Sequence, residues 1–262
     1  MVTCNNLLNN PNLKPIEQKG SFTVLEYQRD LSVSPSTSVN SYYMSEMGIR
    51  RKQVLAQLNE TSIITQAGAM QWTTGSVGAT TGIKGVGDFL GKALKGKATG
   101  ESTIKPEYVG KGMLMLEPTY KYILLEDISE WGSGMVIEDG LFMACEGTVK
   151  QSVVAKNTFS SAAFGNEGLF NMVLRGNGIA VLESNVPREE LILFDLSDDV
   201  LKIDGSMAIA WSDSLKFTVE RSGKSLIGSA ASGEGLVNVY RGTGKVLMSP
   251  VALTSSLMAA AH

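Results

Sequence analysis

The glycines and lysines between Gly85 and Gly100 have the spacing that most suggests chemistry in this sequence. The segment Gly91–Lys97 reads GKALKGK, which matches the first part of a phosphate-binding loop, whose backbone amides cradle phosphate groups. Such a loop needs Ser or Thr next, to bind magnesium, and Ala98 occupies that position. The dinucleotide-binding pattern also fails, because Leu90 occupies the position of its third glycine. The sequence therefore argues against nucleotide binding.

Histidine is almost absent from this sequence, because the only one is the last residue, His262. Most protein metal sites, Ser-His-Asp triads and Cys-His pairs need a histidine. The adjacent acidic pairs are interpreted as turn or surface charges, because neighbours on a strand point to opposite faces and make poor acid–base dyads. These pairs are Glu126-Asp127, Glu189-Glu190 and Asp198-Asp199. The sequence predicts no enzymatic activity, no metal and no cofactor.

An internal repeat is the strongest architectural signal. Gly-x-Gly tripeptides begin at Gly110, Gly176 and Gly242, at intervals of 66 residues, and each leads into an apolar run. The flanking segments are short, apolar or alternating, and bounded by turn residues, which is typical of strands. Glycine at these positions indicates hairpins or bulges, where a Cβ atom would clash. The pattern predicts an all-β sandwich or barrel made of three units.

The expected boundaries follow from these repeats. We predict a tail over residues 1–20, a single domain over 21–251, and a second tail over 252–262. Within the domain we predict units over about 21–77, 101–164 and 165–219, an insert over 78–100, and a closing hairpin over 233–250. That hairpin is expected to pair with the first unit's strand, which has the sequence SFTVLEYQRDLSV.

Bulk composition restricts the class of protein. The chain has 262 residues, 43% of them hydrophobic, with a formal net charge of −3. A mildly acidic protein is not expected to bind nucleic acid through a broad basic face. Cys4 and Cys145 are expected to be free thiols, and no secretory signal or apolar span is visible. These features favour a cytoplasmic protein.

The insert also contains a short amphipathic pattern, which predicts a basic helix of about three turns. One interpretation is a connector between units; the other is a contact element for a protein partner or an anionic membrane surface. The candidate contact residues are Phe89, Leu90, Lys92, Leu94, Lys95 and Lys97.

Two tryptophans and two arginines could each have either a structural or a functional role. Trp72 and Trp211 are expected in the core rather than as ligand platforms. Arg175 and Arg241 each precede a Gly-x-Gly tripeptide. Each is expected to be a surface arginine lying over a hairpin, and the alternative is an ion pair between subunits.

Several motifs in this order resemble the AIM-type (altered inheritance of mitochondria) mitochondrial biogenesis family. They are GAMQW, KALKGKATGES, GNEGLFNMVLRGNGIAVL and SGEGLVNVYRGTGKVLMSP. The resemblance implies three β-sandwich repeats in pseudo-threefold arrangement, similar to the tryptophan RNA-binding attenuation protein and often assembled as a trimer. It implies no catalytic residues. Its mitochondrial members are tied to inner-membrane organisation, whereas this chain, without a presequence, resembles a bacterial member.

The sequence thus favours a non-enzymatic β-scaffold that self-assembles as a homotrimer and binds a protein partner or a membrane surface. The alternative is a small-ligand or RNA-binding protein that uses clefts between repeats.

Overall fold

A computed structural model describes residues 2–80, 105–155, 170–205, 207–221 and 236–251. The described part of the chain is all-β, with fifteen strands, one α-helix and two short 3-10 turns. The strands are β1 Leu13–Lys19, β2 Phe22–Tyr27, β3 Lys52–Thr65, β4 Met70–Thr80, β5 Glu107–Leu116, β6 Tyr122–Asp127, β7 Met135–Ile137, β8 Phe142–Glu146, β9 Lys150–Ala155, β10 Phe170–Arg175, β11 Ile179–Ser184, β12 Ile192–Asp204, β13 Ala208–Ser212, β14 Lys216–Arg221 and β15 Leu236–Met248. The helix is α1 Ser38–Glu46, and the 3-10 turns are Ile128–Trp131 and Arg188–Glu190. The predicted all-β class is confirmed.

The strands form two sheets. The eight-stranded sheet has the order β1-β2-β3-β8-β11-β6, with β5 also paired to β3 and β4 paired to β5. The seven-stranded sheet has the order β12-β15-β13-β7-β10-β9, with β14 also paired to β15. The paired strands of both sheets run antiparallel.

Each sheet has its own apolar core, and a third core joins them. The eight-stranded sheet curves around a cluster that includes Phe22, Val54 and Leu114. The seven-stranded sheet encloses a cluster that includes Trp211 and Tyr240. Between the sheets lies a cluster to which both contribute buried side chains. Removal of this apolar surface from water is the main stabilising contribution to such a fold.

The first Gly-x-Gly tripeptide lies inside β5, where neighbouring backbone leaves no room for a side chain. A Cβ atom on Gly110 would lie 2.0 Å from the carbonyl oxygen of Ser76, and one on Gly112 would lie 1.9 Å from that of Thr74. Gly110 also has a φ of 135°. Opposite it, β3 shifts register between Asn59 and Thr61, as a β-bulge does. The expected clash is thus present.

The predicted closing hairpin over 233–250 is wrong. The described part of this segment is one continuous strand, β15, in which Gly242 and Gly244 have φ values of 117° and 157° and do not reverse the chain. It pairs with β12, β13 and β14. The expected pairing with the first unit is also wrong, because β2 pairs with β1 and β3 in the other sheet.

The predicted N-terminal tail is wrong from Leu13 onward. This segment forms β1, which pairs with β2 from Leu13↔Tyr27 to Lys19↔Phe22, and Leu13 is buried. The predicted start of the insert at residue 78 falls within β4, which continues to Thr80. The remainder of the insert from residue 81 and the tail over 252–262 lie outside the described residues.

A long excursion, residues 28–51, connects β2 to β3; we call it the arm. It contains α1, which the sequence pattern did not predict. No residue of the arm is buried, whereas the strands on either side of it contain fully buried positions. The arm therefore projects from an otherwise well-packed sheet.

Candidate functional site

The residues predicted to contact a partner or membrane, Phe89, Leu90, Lys92, Leu94, Lys95 and Lys97, lie outside the described residues. The described part of the chain contains no group of three or more His, Cys, Asp or Glu residues placed to hold a metal. No helix in it is long and apolar enough to span a bilayer.

One acidic pair has a structural role that sequence reasoning missed. Glu126 was interpreted as a turn or surface charge, but it is only 5% exposed. Its carboxylate accepts hydrogen bonds from Trp131 Nε1 at 3.3 Å and from the guanidinium of Arg188. Asp127 caps the following 3-10 turn by accepting from Ser129, and these hydrogen bonds lower the pKa of Asp127. Adjacent strand residues point to opposite faces, so Glu126 points inward while Asp127 points outward and caps the turn. Together the two residues anchor the 3-10 turn.

Both cysteines are free thiols, as predicted. Cys145 is buried, and burial raises its pKa to about 12, although a hydrogen bond from Gln151 opposes this shift. A thiol with so high a pKa supplies almost no thiolate at neutral pH, and the thiolate is the nucleophilic form. Cys145 is thus a core residue.

The two tryptophans differ in burial. Trp211 is 3% exposed and packs against Phe217 and Tyr240, with ring centroids 5.4 Å away in each case. Trp72 is only partly buried and packs beside the cluster that contains Leu55. Trp211 is therefore in the core, while Trp72 lies at its margin.

The two repeat-related arginines are paired within the chain. Arg175 donates from Nε and Nη2 to Asp213 at 2.9 and 2.6 Å. Arg241 binds both carboxylate oxygens of Glu220 at 2.6 and 2.9 Å, and these hydrogen bonds lower the pKa of Glu220 to about 2. Both side chains are half-exposed, and their acidic partners belong to the same chain. Arg175 ends β10 just before the Gly176 turn, as the hairpin interpretation expects, whereas Arg241 lies within the continuous strand β15.

An ion pair joins the two ends of the arm where it leaves and rejoins the sheet. Arg51 Nη2 lies 3.1 Å from Asp30 Oδ1, and the Arg51 guanidinium carbon lies 4.2 Å from the centre of the Tyr27 ring. Asp30 also accepts a hydrogen bond from the hydroxyl of Tyr120. The backbone N–H of Tyr27 donates to the carbonyl of Arg51 at 2.9 Å. These contacts fix where the arm leaves and rejoins the sheet.

A second set of charged residues, centred on Lys52, lies next to this ion pair at the base of the arm. Lys52 Nζ is 3.5 Å from Glu26 and 3.0 Å from the carbonyl oxygen of Arg50, and its side chain is 4% exposed. It also lies 4.7 Å from the centre of the Tyr122 ring. Burial lowers the pKa of Lys52, and the charge and hydrogen bond of Glu26 oppose that shift. Since Arg50 also pairs with Glu26, the basic run 50–52 is matched by acidic groups.

The arm exposes several large apolar side chains that no described residue covers. Five large side chains on it are more than 60% exposed: Leu31, Val39, Tyr42, Tyr43 and Met47. α1 has no buried residue, no basic residue in its last turn and no acidic residue in its first turn. An isolated helix of nine residues is marginal in water, and α1 buries no side chain that would add tertiary stabilisation.

Sequence reasoning missed the arm although two signals were present. The tripeptide Arg50-Arg51-Lys52 directly precedes an apolar strand, and Tyr42-Tyr43 lies in a polar, Ser-rich stretch. The arm lacks the apolar periodicity from which helices and strands are predicted, because no face of it packs on the core.

Similarity to known proteins shows the family to which this chain belongs. Residues 47–251 match the family described as mitochondrial biogenesis AIM24. The chain belongs to this family. The predicted resemblance is therefore confirmed. The match begins near the end of the arm, so β1, β2 and α1 precede the matched region.

Two bacterial proteins are similar over most of their length. An uncharacterised protein of Streptococcus pyogenes serotype M6 is 27% identical over 192 residues, which cover 71% of this chain and 75% of that protein. A crystal structure of a Streptococcus pyogenes protein has a TM-score of 0.58 and 24% identity, and the match covers 81% of this chain and 93% of that one. The second likeness supports the fold.

Proposed function

We propose that this AIM24-family protein is a non-enzymatic β-scaffold that binds another protein chain through its arm. The observation that carries the proposal is that the whole arm, residues 28–51, lacks a buried residue while exposing five large hydrophobic side chains. Ordering each residue costs about 1–2 kcal/mol of conformational entropy. A segment of this kind gains the missing burial when a partner covers it.

The chemistry of the arm favours a protein partner over a membrane. Tyr and Met are enriched at protein interfaces, and exposed tyrosines such as Tyr42 and Tyr43 are frequent hot spots. An interfacial helix on an anionic bilayer normally carries Lys or Arg on its polar face, but the α1 sequence SVNSYYMSE contains neither. The basic residues Arg50, Arg51 and Lys52 at the base of the arm are paired with Glu26 and Asp30. The arm therefore offers exposed aromatic and aliphatic side chains, rather than a basic surface, to a partner protein.

The scaffold beneath the arm is proposed to contain three related units in the TRAP-like, pseudo-threefold arrangement. Three bulged or interrupted segments begin at regular intervals with Lys52, Tyr122 and Ile192, the first residues of β3, β6 and β12. The antiparallel pairs β4–β5, β9–β10 and β14–β15 follow them, and a Gly-x-Gly tripeptide lies within β5, directly after β10 and within β15.

The bulges support the same arrangement. Glu60 and Asp198 have positive φ values of 59° and 53°, and each lies where its strand shifts register opposite a Gly-x-Gly tripeptide. Non-glycine residues rarely adopt this conformation. Self-assembly of the scaffold as a homotrimer is part of the proposal, and native mass spectrometry of the purified chain tests it by subunit number.

A comparison of variants tests the docking proposal. The double variant Tyr42→Ser/Tyr43→Ser removes two exposed rings and leaves the core intact, so its melting temperature should equal that of the wild type. Val200→Ser is the matched control, because Val200 is an exposed apolar residue on β12. Affinity purification from the native cells should recover a protein that binds the wild type and Val200→Ser and is lost from the double variant. Equal recovery on all three chains would overturn the proposal.

A further inference from the structure

A depression of about 300 Å³ lies on the outer face of the eight-stranded sheet, away from the arm. Its lining residues are Gln18, Gly20, Ser21, Thr23, Leu55, Gln57, Asn59 and Thr61. β3 supplies half of the lining: Leu55, Gln57 and Asn59 alternate on one face of the strand, and Thr61 follows the bulge at Glu60. The volume is at the lower end of the ~300–1,000 Å³ typical of small-molecule sites.

One wall of the depression is held rigidly. The carboxylate of Glu146 accepts hydrogen bonds from Ser21 N at 2.9 Å, Ser21 Oγ at 2.7 Å and Ile179 N at 2.9 Å. A Cβ atom on Gly20 would lie 2.6 Å from that carboxylate, and Gly20 has a φ of 54°. Glycine therefore permits the turn that brings Ser21 against Glu146.

Four other polar side chains of the lining have no partners within the described residues. The side chains of Gln18, Thr23, Gln57 and Asn59 form no hydrogen bond or ion pair with other described residues. Carboxamides and hydroxyls each offer both a donor and an acceptor. Leu55, which is 5% exposed, adds an apolar patch to the lining.

We infer that this depression binds a neutral, polyhydroxylated ligand of mono- to disaccharide size. None of its lining side chains carries a charge, so a phosphate or carboxylate group would lose its water shell without a counter-charge there. The three amides and three hydroxyls of the lining can each donate and accept hydrogen bonds. Adjacent hydroxyls of a sugar ring do the same, so the two sets of groups are complementary. The same argument separates this site from RNA, whose binding depends on cations that neutralise phosphates.

Saturation-transfer NMR with maltose, cellobiose and lactose tests this inference on the full chain. At least one of these sugars should receive saturation from the wild type. In Gln57→Ala/Asn59→Ala the dissociation constant should rise by about tenfold or more, because two hydrogen-bonding groups are lost. Asn177→Ala removes an exposed amide elsewhere and should bind as the wild type does.

The isosteric variant Asn59→Asp guards against misfolding of the double variant, since it keeps the shape of the site and removes one amide donor. It should also weaken binding. Saturation transfer to none of the three sugars, or equal affinity in all variants, would overturn the inference. Neither result bears on the arm.

Discussion

Arg51 and Asp30 lie at opposite ends of the arm and meet at 3.1 Å between Nη2 and Oδ1. The two residues are separated in sequence by nearly the whole arm, so their contact closes it into a loop at the surface of the sheet. Both side chains are partly buried, with 21% and 11% exposure. Partial burial makes this ion pair stronger than an exposed one, because solvent screens it less.

Replacement of Asp30 by Asn should loosen the arm without unfolding the sheets. Asn keeps a hydrogen-bonding oxygen for Tyr120 but loses the charge that faces Arg51. We expect the free energy of unfolding to fall by about 1 kcal/mol. Hydrogen–deuterium exchange should quicken in residues 28–51 and stay unchanged in β8 and β11. Asp195→Asn, at an exposed position of β12, is the control. Uniform exchange changes across both sheets would contradict a local role.

Replacement of Gly110 by Ala should be strongly destabilising. Its Cβ atom would meet the carbonyl oxygen of Ser76 at 2.0 Å, and its φ of 135° is unfavourable for any side chain. We expect a loss of about 2–4 kcal/mol in chemical denaturation. Gly140→Ala is the control, because Gly140 has a φ of 77° but no atom within 4 Å of the added Cβ. It should cost about 1 kcal/mol. Similar losses in the two variants would show that the crowding at Gly110 is unimportant.

The two thiols should differ sharply in reactivity. Burial raises the pKa of Cys145 to about 12, whereas Cys4 is exposed. A thiol reagent at pH 8 should therefore modify one thiol per native chain and two after denaturation. Cys4→Ser should reduce the native count to zero. Rapid labelling of Cys145 in the folded Cys4→Ser chain would contradict its assignment to the core.

Removal of the Tyr240 hydroxyl should not harm the fold. This oxygen is buried and has no hydrogen-bond partner among the described residues, and burial raises the pKa of Tyr240. An unsatisfied buried polar group costs about 1–3 kcal/mol, so Tyr240→Phe should be neutral or stabilising by about 1 kcal/mol. Thermal unfolding measures the change. A substantially lower melting temperature would mean that the hydroxyl has a partner.

Much of the scaffold could be predicted from the sequence, because its signals come from packing. Gly-x-Gly tripeptides such as that at Gly110 and the apolar runs beside them reflect close strand contacts, and they predicted the fold class and the family. β1 was missed because Pro15 and its charged neighbours resemble a tail, although one edge of an outer strand tolerates proline.

The arm could not be predicted in the same way. The stretch SVSPSTSVNSYY resembles a loop, since a helix with no buried face has no apolar periodicity. The ion pair between Arg51 and Asp30 depends on the β2–β3 pairing, which brings together residues distant in sequence. The candidate site thus arises from tertiary structure rather than from a motif.

Site-specific photo-cross-linking in the native cells tests the docking claim most directly. A photoreactive phenylalanine analogue at Tyr43 should yield a discrete adduct with a protein chain, and the same analogue at Val200 should not. An adduct at twice the chain mass would identify the partner as a second copy of this chain. An adduct with lipid alone, or identical products from both positions, would contradict the proposal that the arm binds a protein.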